Sequence, residues 1–101
     1  MAEETPIVGT IGLKIWVNAG LDISGANLIK LRYIKPDGTA GNFTGTYELR
    51  GTDHGAFYIT TSATDIDVTG AWKFSLYVEI GPNRFYGTEV KTERFKAQMP
   101  T

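Results

Sequence analysis

Apolar and polar residues alternate one by one along much of this 101-residue chain. That is the period of a strand with one buried face. Leu13, Ile15 and Val17 alternate with Lys14, Trp16 and Asn18. Ile29, Leu31 and Tyr33 alternate with Lys30, Arg32 and Ile34. The clearest run is Trp72, Phe74, Leu76, Val78 and Ile80 against Lys73, Ser75, Tyr77 and Glu79. Shorter runs at Ile7–Ile11, Gly41–Leu49, Ala56–Thr61 and Arg84–Phe95 bring the predicted strands to seven. The same phases predict a core of Leu13, Ile15, Val17, Ile29, Leu31, Tyr33, Phe57, Ile59, Trp72, Phe74, Leu76 and Val78.

Turn chemistry separates these runs. Lys35-Pro36-Asp37-Gly38-Thr39 is the strongest signal. Proline presets φ, aspartate bonds forward to the backbone and glycine accepts a positive φ. Gly81-Pro82-Asn83-Arg84 reads as a second hairpin turn, and Gly51-Thr52-Asp53-His54-Gly55 as a third, longer one. Gly20–Gly25 links the second and third strands. Gly9 and Gly12 fall within a strand pattern and read as a bulge or a close backbone approach.

The one helical candidate, Ser62–Thr69, is short and rich in poor helix formers. It reads as a crossing loop that ends in Thr69-Gly70-Ala71-Trp72. An acidic, glycine-containing corner before an aromatic that opens strand F is frequent in immunoglobulin-like domains. The expected fold is therefore all-β: an immunoglobulin-like antiparallel β-sandwich of about seven strands, as one domain over residues 1–101. Trp72 replaces the usual tyrosine, so its indole N–H can serve the corner only as a donor.

Composition narrows the function classes. Apolar residues make up 42% of the chain and aromatics 12%, which suits a folded domain rather than a disordered chain. No cysteine is present, which excludes a disulfide framework, a thiolate zinc site and a cysteine nucleophile. A net charge of −1 gives no overall electrostatic footprint for nucleic acid. No apolar run approaches a membrane span, and Met1–Pro6 does not resemble a secretory leader. The expectation is a soluble protein made in the cytoplasm, with polar arms at 1–6 and 98–101.

Candidate chemistry is sparse. His54 is the only histidine and stands in a glycine-flanked turn, where an exposed polar residue is ordinary. Asp65 and Asp67 form an Asp-x-Asp pair of the kind that binds calcium, but turn capping is the commoner use. Ser24, Ser62 and Ser75 lie in no nucleophile motif. Lys91–Lys96 reads as an edge strand guarded by charge. No catalytic residue, cofactor or metal is predicted. Trp16, Tyr77 and Tyr86 fall on faces opposite the apolar ones. Outward aromatics are enriched at interfaces, so these three are the predicted interface residues.

The run Gly20-Leu21-Asp22-Ile23-Ser24-Gly25-Ala26, then the strand Lys30–Tyr33, Lys35-Pro36-Asp37-Gly38-Thr39 and Gly70-Ala71-Trp72-Lys73 carries a resemblance. Its layout is similar to small β-sandwich modules of tailed-bacteriophage virions, such as the N-terminal domain of phage baseplate upper proteins. The likeness spans residues 7–96 by strand and turn order, without a receptor-binding domain or a stalk. It implies a non-enzymatic structural module of tail, baseplate or head, located in the virion. Its partners would be other virion proteins and further copies of itself, with no nucleic acid and no membrane. The alternative is a carbohydrate-binding or adhesion module that stacks sugar rings on Trp16, Tyr77 or Tyr86.

Overall fold

The computed structural model describes residues 7–87 and 89–97; the predicted arms at 1–6 and 98–101 lie outside them. Eight antiparallel strands form two sheets: β1 (Lys14–Asn18), β2 (Leu28–Ile34), β3 (Ala40–Thr44), β4 (Thr46–Arg50), β5 (Asp53–Ile59), β6 (Gly70–Ile80), β7 (Asn83–Tyr86) and β8 (Lys91–Phe95). One sheet runs β1-β5-β4. The other runs β3-β2-β6-β7, with β8 also paired to β6. In immunoglobulin lettering these are B-E-D against C′-C-F-G, with β7 and β8 sharing the last place. Ile7 makes a parallel bridge to Lys96 at the rim of the second sheet. The fold is an immunoglobulin-like β-sandwich.

Three strand assignments from the sequence change. Ile7–Ile11 is not a strand: beyond the Ile7 bridge, Gly9 and Gly12 turn the chain with positive φ. Gly41–Leu49 is two strands in different sheets, because the chain crosses between layers at Gly45. There its N–H donates to the Ile29 carbonyl at 2.9 Å. A Cβ on Gly45 would stand 2.7 Å from Leu31 and 2.8 Å from Ile29, so only glycine lets the backbone cross so close to the core. Arg84–Phe95 is likewise split. Tyr86 pairs with Tyr77 and Lys91 with Phe74, so only Ser75 and Leu76 of β6 lie between the two pairings. This bulge brings Val90 to the outer face of the sheet.

The turns are tighter than the sequence implied at one place. Arg50 pairs directly with Asp53, so Gly51-Thr52 alone makes the β4–β5 turn and His54 lies within β5. The Lys35–Thr39 turn follows its chemistry. The Gly38 N–H bonds the Lys35 carbonyl at 2.9 Å, and the Asp37 carboxylate accepts from the Thr39 N–H at 2.9 Å.

The core lies between the sheets. Ile15, Val17, Ile29, Leu31, Trp72, Phe74, Leu76 and Val78 are buried as their phases predicted. Leu13 and Tyr33 are half-buried and packed against them. Phe57 and Ile59 are corrections: β5 has the opposite phase and turns Ala56 and Tyr58 inward. Phe57 is half-buried on the outer face beside Trp16, and Ile59 is 43% exposed. Ile23, Ile66 and Phe95 complete the core from the loops and from β8.

Ser62–Thr69 contains no helix. The Asp65 carboxylate organises it, accepting from the Tyr58 hydroxyl at 2.7 Å and from the Thr61 and Ser62 N–H groups at 2.9 and 3.2 Å. Partial burial pushes its pKa up, but these three donors outweigh burial and hold it below the usual aspartate range. A lowered folded-state pKa contributes stability above the unfolded value of about 3.9 and loses it as pH falls through the folded one. Asp65→Asn should therefore melt earlier than the parent at neutral pH. The gap should narrow below about pH 3.9, as thermal melts across the acid range would show.

Candidate interaction faces

The sandwich has two outer faces, and the predicted interface residues divide between them. Trp16 belongs to the three-stranded sheet. Tyr77 and Tyr86 are register partners on the five-stranded sheet, with ring centroids 5.2 Å apart. The structure thus brings the two tyrosines together and separates Trp16 from both.

On the three-stranded face, Trp16 is a packed residue. Its ring lies against Gly55, where a Cβ would sit 2.4 Å from the indole. The indole N–H donates to the Glu48 carbonyl at 3.2 Å, and the Arg50 guanidinium sits 4.7 Å from the ring centroid. Lys14 lies 4.4 Å over the Phe57 ring. The Glu48 carboxylate joins both cations, accepting from Lys14 and, at 2.9 Å, from Arg50. Lys14 first and Arg50 second hold its pKa below the usual glutamate range. With Asp53 in register with Arg50, this face carries two cations and two carboxylates, and its largest aromatic is packed among its own neighbours.

The five-stranded face differs. Tyr86 is 59% exposed, and Ile34 and Val90 are similarly open. Tyr77 is half-buried, and its hydroxyl donates to Glu79 at 2.6 Å. That bond, followed by partial burial, raises the phenol's pKa. The Arg32 guanidinium lies 5.0 Å from the Tyr86 centroid and donates to Ser75 at 3.2 Å. Between β2, β3, β6 and the bulge lies a cleft of about 460 Å³, within the usual range for ligand pockets. Its lining includes Arg32, Ile34, Asn42, Lys73, Ser75 and Val90. These residues lie outside the predicted interface set. The period-2 pattern exposes Arg32, Ile34 and Lys73, but only the register makes them neighbours.

The remaining candidates have structural roles. His54 is half-buried, and its Nδ1 lies 2.8 Å from the Tyr47 hydroxyl and 3.4 Å from the Asp22 carboxylate. Asp67 accepts from Lys35 at 2.9 Å, while Asp65 caps its loop. Among the described residues, no group of three His, Asp or Glu is placed to hold a metal ion. The edges are guarded: β8 carries Lys91, Glu93 and Arg94, and Lys91 donates across the layers to the Trp16 carbonyl at 3.1 Å.

No protein-family model, curated protein or solved structure matches this chain.

Proposed function

We propose that this protein is a non-enzymatic structural module of a tailed-bacteriophage virion, a tail, baseplate or head component that works by protein–protein contacts. The observation that carries the reading is the outer face of the five-stranded sheet. It leaves Ile34, Tyr86 and Val90 open to water beside a cleft. Exposed apolar side chains gathered next to a cleft are a feature of contact surfaces. The layout of turns and strands, similar to small virion modules, supplies the biological setting. The alternative, a carbohydrate-binding module, draws its support from Tyr86, because Tyr77 is half-buried with its hydroxyl on Glu79 and Trp16 is packed against Gly55 and Arg50.

Light scattering coupled to size exclusion, together with mass spectrometry of purified particles, tests the reading. Concentration-dependent oligomers and recovery from particles are expected. A strict monomer absent from particles, whose fluorescence shifts with a defined glycan, would replace it with the carbohydrate-binding reading.

A further inference from the structure

The charged side chains are segregated. Outward positions of the five-stranded sheet carry Lys30 and Arg32 on β2, Lys73 on β6, Arg84 on β7 and Arg94 on β8. The carboxylate among them is Glu79, in register with Arg84. Among the described residues none of these five cations forms an ion pair. Four of the other five cations are matched: Lys14 and Arg50 share Glu48, Lys35 meets Asp67, and Lys91 meets Glu93, with Lys96 just past the end of β8 the exception. Of the acids outside the strands, Asp22 lies against His54 of the other sheet, and Glu89, beside Val90 in the bulge, lines a separate hollow next to Trp16 and Lys91. A chain of net charge −1 thus presents one strongly basic face.

The cleft opens on this face, and among the described residues no carboxylate lines it. Arg32 is held in place there by Ser75 and the Tyr86 ring, while its Nε is buried without a hydrogen-bond partner. A guanidinium already fixed by packing loses little freedom on binding, and its planar fork matches a carboxylate. Ile34 and Val90 supply apolar surface next to the cations.

We propose that this face docks an acidic segment of a partner polypeptide. One carboxylate of that segment is seated against Arg32 and Lys73, and a neighbouring apolar side chain lies on Ile34 and Val90. The inference rests on the reading above only in taking the partner to be a protein. A polypeptide fits better than a nucleic acid because Glu79 binds the Tyr77 hydroxyl within the tyrosine pair. Its negative charge lies where the phosphates of bases stacked on those rings would pass.

The test is an amide-resolved NMR titration of the full chain at low salt. The probe is a short acetylated, amidated peptide alternating Glu and Val; its Lys–Val counterpart and an oligothymidylate serve as rivals. The Glu–Val peptide should shift the amides around Arg32, Asn42 and Lys73 and lose affinity as salt screens the charges. Arg32→Gln with Lys73→Gln should weaken binding roughly tenfold or more. Lys14→Gln on the opposite sheet should leave it unchanged. Should Arg32→Gln fail to fold, Lys73→Glu replaces it, because that position is exposed and the reversed charge should abolish binding. Shifts confined to the other sheet, equal binding of the Lys–Val peptide, no binding at all, or tighter binding of oligothymidylate would each overturn the proposal. Peptide binding by a chain absent from particles would sink the virion reading alone. A particle component that ignores the peptide would sink this inference alone.

Discussion

Trp72→Ala should cost about 3–5 kcal/mol, a large part of the roughly 5–15 kcal/mol that holds a domain folded. Trp72 is fully buried and packs its ring against Tyr33, Phe74 and Phe95 at centroid distances of 5.2, 6.1 and 5.8 Å. Its indole N–H donates to the Val68 carbonyl at 2.8 Å, which pins the crossing loop to the start of β6. Alanine removes the packing and leaves that carbonyl without its donor. In a domain of this length each kcal/mol moves the melting temperature by about 4–8 °C, so a fall of at least about 12 °C is expected. Trp72→Phe separates the two contributions, because it keeps an aromatic ring and loses the N–H. It should cost about 1–3 kcal/mol, chiefly from the unpaired carbonyl. An unchanged melt for Trp72→Ala would show that the corner does not hold the sandwich together.

That corner is legible in the residues themselves. A glycine before a tryptophan at the head of the longest alternating run has few other uses, and the absence of a hydroxyl fixes the direction of the bond. β5 is not legible, because its two phases are almost equally apolar: Phe57 and Ile59 compete with Ala56 and Tyr58. The decision falls outside β5, at Trp16. Its ring leans diagonally across the ladder and needs a residue without a side chain there; Gly55 supplies one, which turns Phe57 and Ile59 outward with it. The break at Gly45 is hidden for a related reason. Phe43 and Tyr47 continue one alternation across a change of sheet, and periodicity carries no record of which partner a strand takes.

The interaction faces show the same limit in another form. Outward aromatics can be read from alternation, and Trp16, Tyr77 and Tyr86 do point away from the core. Whether an outward ring is free depends on its neighbours across the sheet. Arg50 and Gly55 close over Trp16, whereas Tyr86 stays open. The basic face is invisible to a net charge of −1, because composition sums what the fold separates.

Thr60 shows the same dependence on the fold within the interior. It is 1% exposed, and its hydroxyl is the hinge of the first loop. Oγ1 donates to the Thr10 carbonyl at 2.8 Å and accepts from the Leu13 N–H at 3.0 Å. The backbone of Thr60 adds two bonds to the same loop, through the N–H of Gly12 and the carbonyl of Leu13. Thr60→Val has almost the same shape and keeps the backbone bonds, so packing is nearly unchanged. It strands one donor and one acceptor, each costing about 1–3 kcal/mol when shielded from water. The expected loss is about 2–4 kcal/mol, with faster hydrogen exchange at the Leu13 amide. Thr60→Ser restores the hydroxyl at the expense of a methyl group and should recover most of that loss. A valine variant as stable as the parent, beside a destabilised serine variant, would mean that packing of the Thr60 methyl, and not its hydroxyl, fastens the loop.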